Sequence, residues 1–137
     1  MPKRLGTDAQ KRERLSSQDR FAWPLARVGI LGGGQLARMM TKKAKKLGCW
    51  VSVLDPDASA PAGQVAAEQV VGSFDDIEAL RTLAERCDVV TFDTEHVDAS
   101  LLLTLEAEGH RFFPSPSLLA LVQDKLEQKQ VFLAQGL

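Results

Sequence analysis

Two stretches of this chain combine residue types that can do chemistry. The first, Gly32-Gly33-Gly34-Gln35, follows a short apolar run from Val28 to Leu31 and precedes a helical pattern. Gly32, Gly34 and Ala37 fit the G-x-G-x-x-G/A form, in which a strand turns into a helix around a bound anion. Gly32 permits the sharp turn, Gly34 lets backbone approach a ligand with no Cβ between them, and Ala37 allows close helix–strand packing. Free N–H groups and the dipole at the helix start predict an anion site there, best suited to a phosphate. The pattern does not say whose phosphate. The second stretch, Asp93-Thr94-Glu95-His96, puts two carboxylates and an imidazole within four residues. Glu95 could orient an amine or act as a base; His96 could hold one tautomer or merely pack. Taken alone, such a stretch is as often an ordinary turn. Asp55 is a third candidate. A carboxylate about 20 residues after the glycines, at the end of the second strand, can hold a ribose hydroxyl, and Asp55-Pro56-Asp57 equally reads as a turn.

These residues need a frame, and strand–helix alternation supplies one. Strands are expected at Arg27 to Leu31, Cys49 to Leu54, Glu68 to Val71, Asp88 to Phe92 and Arg111 to Phe113. Helices are expected at Gln35 to Leu47, Asp75 to Arg86, Ala99 to Glu108, Ser117 to Val122 and Lys125 to Ala134. In the first helix Leu36, Met39, Met40, Ala44 and Leu47 recur at the spacing of one buried face. Lys42, Lys43, Lys45 and Lys46 crowd its C-terminal end, where cations suit the dipole, and Gly48 stops it. Ile77, Leu80, Leu83 and Ala84 mark the buried face of the next helix. The alternation predicts an α/β fold with a doubly wound parallel sheet in a single domain. Ligands of such sheets settle beyond the strand ends where the order reverses, here strands one and four. That sets the glycine loop opposite Asp93 to His96. His110, beside Gly109, reads as a surface turn residue.

Composition narrows the classes. The 137 residues suit one domain, and 45% hydrophobic with 26% charged residues is the balance of a soluble globular protein. No apolar run is long enough to cross a bilayer, and no apolar segment follows the basic N-terminal residues as in a secretory signal. Residues 1–27 carry seven Lys/Arg against three Asp/Glu, and the remainder ten against fifteen, so a net +4 segment precedes a net −5 domain. An acidic domain argues against nucleic acid. Met1 to Ala26 reads as a flexible extension, with Lys11 to Arg14 a solvated run and Phe21 and Trp23 able to pack back. Cys49 and Cys87 read as reduced structural thiols of a cytoplasmic protein, with no metal-ligand spacing.

Four motifs in order carry a resemblance: Gly29 to Met39, Leu54 to Asp57 with Ala60 to Ala62, Thr91 to Val97, and Gln123 to Leu126. Over Arg27 to Leu137 the chain resembles the N-terminal domain of 5-(carboxyamino)imidazole ribonucleotide synthase, an ATP-grasp carboxylase of purine biosynthesis. The resemblance implies a Rossmann-like, pre-ATP-grasp domain. It implies a ligase that uses ATP with Mg2+ to activate bicarbonate and carboxylates the amine of 5-aminoimidazole ribonucleotide. It places Gly34, Gln35, Leu36 and Glu95 at that ribonucleotide, with Glu95 as catalytic candidate, and Lys125 at ATP. Asp55 becomes a turn residue, and no metal ligand falls in this stretch. In the family the ATP-grasp domains follow, so the chain is expected to be a fragment, or one half of a split enzyme, that does not catalyse the reaction alone and binds no cofactor tightly by itself. A homodimer or a separate ATP-grasp chain are its expected partners, with neither nucleic acid nor membrane. The related glycinamide ribonucleotide transformylase fits the glycine and Glu-His-Val loops less well. Two other readings stay open. One is a stand-alone dinucleotide-binding module using Asp55 on ribose. The other is an inactive remnant that associates through Leu126, Val131, Phe132 and Leu133.

Overall fold

Side-chain alternation along two neighbouring strands feeds two cores, one on each face of a parallel sheet. The computed structural model of the chain describes residues 25–136, with the side chains of 125–128 outside the description. In chain order the elements are β1 (Arg27–Leu31), α1 (Gln35–Lys46), β2 (Trp50–Asp55), β3 (Glu68–Val71), α2 (Ile77–Arg86), β4 (Val89–Phe92), α3 (Ala99–Ala107), α4 (Pro116–Gln123) and α5 (Lys125–Ala134). The strand order is β3-β2-β1-β4, all pairs parallel, with Ile30 opposite Val53 on one side and Thr91 on the other. The chain thus winds outward from β1 to β3, then crosses back to lay β4 on the other side of β1. This reversal is the one expected from the sequence.

Ile30, Val51 and Val53 point to the α1 face and bury with Ala37 and Ala62. Leu31, Leu54 and Val90 point the other way and bury against Leu80 and Leu83 of α2, Leu102 and Leu105 of α3, and Leu119 of α4. Nearly continuous apolar strands follow from burial on both faces. On the second face β1 carries Gly29, where a Cβ would lie 3.0 Å from Cys87 Sγ and 3.2 Å from both Leu83 and Val90. The missing side chain is what lets α2 seat this close. Arg81 then ties α2 to α3, its Nη2 donating to Glu108 Oε1 at 2.9 Å and its Nε to Oε2 at 3.2 Å.

Two sequence expectations need correction. The buried face of α1 is Ala37 and Thr41, flanked by half-buried Met40 and Ala44, whereas Leu36, Met39 and Leu47 are exposed. Small residues win that face because α1 lies close on the sheet, and the Thr41 hydroxyl is satisfied by donating to Ala37 O at 2.7 Å. Arg111 to Phe113 forms no strand. It makes a single parallel bridge, Val90 with Phe112, before Pro114 ends the pairing. The first helix ends at Lys46 and the second begins at Ile77, within the usual fraying of such boundaries. Of the N-terminal extension, residues 1–24, with Lys11 to Arg14, Phe21 and Trp23, lie outside the described residues. Leu25 and Ala26 join the fold, with Leu25 N donating to Gly48 O and Ala26 O accepting from Trp50 N.

Candidate functional site

The glycine loop is held from three sides. Gly32 takes a φ of +102°, open to glycine and strained for other residues, and its N–H donates to Leu54 O at 2.8 Å. Gly33 donates to Asp55 Oδ2 at 2.9 Å and accepts from Ala62 N at 2.9 Å. A Cβ on Gly33 would lie 2.8 Å from that of Ala60, so the loop after β2 closes directly over it. Arg38 fastens the same loop to α1 through Pro61 O and Gln64 Oε1. Asp55 accepts from Gly33 with one oxygen and from Asp57 N with the other at 2.8 Å. It is therefore a brace between the glycine turn and its own turn, and both its oxygens are engaged in that work.

The third side is the loop after β4. Asp93 N donates to Leu31 O at 2.8 Å, and Asp93 Oδ2 accepts from Ala37 N at 3.1 Å. Ala37 is the third residue of α1, so a carboxylate 56 positions away caps this helix, which has no side-chain cap of its own. A Cβ at Gly32 would touch Thr94 at 3.4 Å and Asp93 at 3.5 Å, so the two loops abut. The expected anion position at the helix start is thus partly filled by the chain's own carboxylates. Among the described residues the N–H groups of Gly34, Gln35 and Leu36 have no hydrogen-bond partner, and all three residues are exposed. A Cβ at Gly34 would meet nothing within 4 Å. Open donors and open space coincide there.

Glu95 and His96 are exposed at the crest of the second loop. The loop is shaped by His96 N donating to Thr94 Oγ1 at 3.2 Å, by buried Val97, and by Asp98, which caps α3 through Ser100 N at 2.9 Å. On its far side a cleft of about 220 Å³ lies between Phe92 to Glu95 and Pro114, Leu118, Leu119 and Val122 of the α4 region. None of Gly34, Gln35 or Leu36 lines this cleft. The site is accordingly two adjoining parts, an open backbone edge and an apolar cleft, divided by the Asp93–Glu95 segment. Gln123 ties this segment to α4: its Nε2 donates to Glu95 O at 2.5 Å and Val97 O at 2.7 Å. Sequence reasoning took Gln123 into a motif without giving it a task, and it passed over the Asp93 cap altogether. Lys125, expected at ATP, stands at the start of α5 with its side chain outside the described residues. Among the described residues no group of three or more His, Cys, Asp or Glu could hold a metal ion, so these side chains do not fit magnesium.

The description "ribonucleotide synthetase preATP-grasp domain" fits residues 25–123. The chain belongs to this family. Among relatives of this preATP-grasp domain, the N5-carboxyaminoimidazole ribonucleotide synthase of Mycobacterium tuberculosis is 47% identical over 116 residues, which cover 85% of this chain and 27% of that protein. The crystal structure of N5-carboxyaminoimidazole ribonucleotide synthetase from Thermotoga maritima superposes with a TM-score of 0.78 at 48% identity, covering 81% of this chain and 31% of that one. The Aspergillus clavatus N5-carboxyaminoimidazole synthase, solved in complex with ADP and 5-aminoimidazole ribonucleotide, gives 0.75 at 41% identity, covering 82% of this chain and 30% of that one. The chain spans between 19% and 29% of the length of the first curated relatives it matches. The α/β fold and parallel sheet expected from the sequence are those of this preATP-grasp domain. No helix among the described residues is long and apolar enough to cross a membrane.

Proposed function

We propose that this chain is the ribonucleotide-binding part of an ATP-dependent ligase. The ligase carboxylates 5-aminoimidazole ribonucleotide with bicarbonate to N5-carboxyaminoimidazole ribonucleotide, in purine biosynthesis. The observation that carries this is an unobstructed backbone edge, Gly34 to Leu36, in a glycine turn that abuts, through Gly32 and Ala37, the loop running from Asp93 into Glu95. The kinship with synthases, one of them solved with ADP and the aminoimidazole ribonucleotide, supplies the substrate class.

Each residue then has a task. The N–H groups of Gly34, Gln35 and Leu36 donate to ribose or phosphate oxygens that reach the helix start. Leu36, exposed at the same turn, offers an apolar contact to one face of the ligand. Glu95 accepts from the exocyclic amine, orients its lone pair outward and receives a proton as the amine nitrogen bonds the carboxyl carbon and the C–O bond to phosphate breaks, releasing phosphate. In the complete ligase ATP would activate bicarbonate as carboxyphosphate, and Lys125 is assigned to ATP. The described residues offer magnesium no ligand set, so no step is drawn through it.

The test is calorimetry with 5-aminoimidazole ribonucleotide on the chain and its Glu95→Gln variant, with NADH as competitor. Binding that weakens about tenfold in the variant is expected, as for loss of one charge-assisted hydrogen bond. NADH binding that Asp55→Ala abolishes, with no response to the aminoimidazole ribonucleotide, would turn the assignment to the dinucleotide module.

A further inference from the structure

The segment that carries Glu95 is fixed at both ends, and between them it has no regular secondary structure. Asp93 N is tied to Leu31 O, and Asp98 caps α3. Of the main-chain carbonyls between these anchors, those of Glu95 and Val97 converge on one carboxamide, Gln123 Nε2, at 2.5 and 2.7 Å. A primary amide has two N–H donors on a single nitrogen, so one side chain can satisfy both carbonyls at once. Residue choice is narrow here. Asparagine is one methylene shorter, an ionised glutamate of equal length presents only acceptors to two acceptors, and leucine presents neither.

Gln123 is also the last residue of α4, the helix that supplies Leu118, Leu119 and Val122 to the wall of the cleft. One hydrogen-bonded side chain therefore joins the segment bearing Glu95 to the far wall of the same cleft. Glu95 itself makes no side-chain hydrogen bond among the described residues, so the hold on it is through its backbone. That backbone is what Gln123 grips.

We infer that Gln123 is a positioning residue for the aminoimidazole ribonucleotide, acting through the Glu95–Val97 backbone to aim the Glu95 carboxylate. This rests on the substrate assignment above. The experiment uses the whole chain, with 5-aminoimidazole ribonucleotide as the probe, and the variants Gln123→Leu and Gln123→Glu. Affinity is read by calorimetry, and loop order by the heteronuclear 15N NOE at the Glu95 and His96 amides. Both variants should bind about tenfold more weakly, the worth of one to two net hydrogen bonds. Both should lower the NOE at those two amides while leaving those of β1 and α2 unchanged. The Gln123→Glu loss should shrink below about pH 4, where the introduced carboxyl regains an O–H donor. Wild-type affinity in both variants, or a rigid loop in both, overturns the role of Gln123 and leaves the substrate assignment standing. Absence of binding by the wild-type chain overturns the substrate assignment, and the role of Gln123 with it.

Discussion

Replacing Asp93 should loosen the start of α1 more than any residue in α1 itself. The carboxylate accepts from Ala37 N at 3.1 Å in a part-buried setting, and the helix has no acidic residue in its first turn to take over. Losing a side-chain cap costs about 1 kcal/mol, and losing a negative charge at a helix N-terminus adds about 0.3–1 kcal/mol. Asp93→Ala should therefore destabilise the chain by about 1.3–2 kcal/mol. In a domain of this size that is a fall of roughly 6–10 °C in Tm. Asp93→Asn keeps an acceptor oxygen and loses only the charge, so its cost should be about 0.5 kcal/mol and should fade in high salt. Urea denaturation followed by far-ultraviolet circular dichroism, at low and high ionic strength, separates the two contributions. An Asp93→Ala variant within about 0.3 kcal/mol of wild type would refute the reasoning, because the other fastenings of the glycine loop would then suffice without it.

Gly29→Ala should cost about 1–3 kcal/mol, because its Cβ would be pressed against Cys87, Leu83 and Val90 at 3.0–3.2 Å; a chemical-denaturation midpoint unchanged from wild type would show that α2 can shift freely. Acid stability follows from two exposed carboxylates. The Ser100 hydroxyl, then the Ser100 N–H, hold Asp98 below the ordinary carboxylate range, and Arg81 does the same for Glu108. Groups depressed in the folded chain stabilise it above their unfolded values, near pH 4, and lose that contribution as pH falls through the lower folded values. The gap in urea midpoint between wild type and Asp98→Asn should accordingly narrow from pH 6 to pH 3, and a gap that widens would contradict the linkage.

Local signals made most of the frame legible. β1, the glycine turn and α1 were readable because apolar run, glycines and helical spacing follow one another without interruption. The place of β4 beside β1 followed from the alternation of strands and helices. What failed was decided by tertiary packing. Leu36 and Met39 are larger and more apolar than Ala37 and Thr41, so periodicity chose them for the buried face; proximity to the sheet chose the small pair instead. Arg111 to Phe113 has strand-like residues, yet it pairs only through Phe112 before Pro114 removes the next N–H donor. In the site, Gly34 and Glu95 could be singled out from residue type. The Asp93 cap joins residues 56 positions apart and the Gln123 clamp residues 28 apart, and neither leaves a trace in local spacing.

The two carboxylates that brace the glycine loop also occupy part of its positive pole. A fingerprint of this form commonly greets a pyrophosphate with an uncompensated positive pole. Here Asp55 and Asp93 already stand on either side of that pole, as resident counterions bonded to Gly33 and Ala37. An anion arriving at the three open N–H groups would meet a carboxylate on either flank, whether it came as a phosphate monoester or as a pyrophosphate. The same bonds that hold the loop in shape thus lower the positive charge it can present.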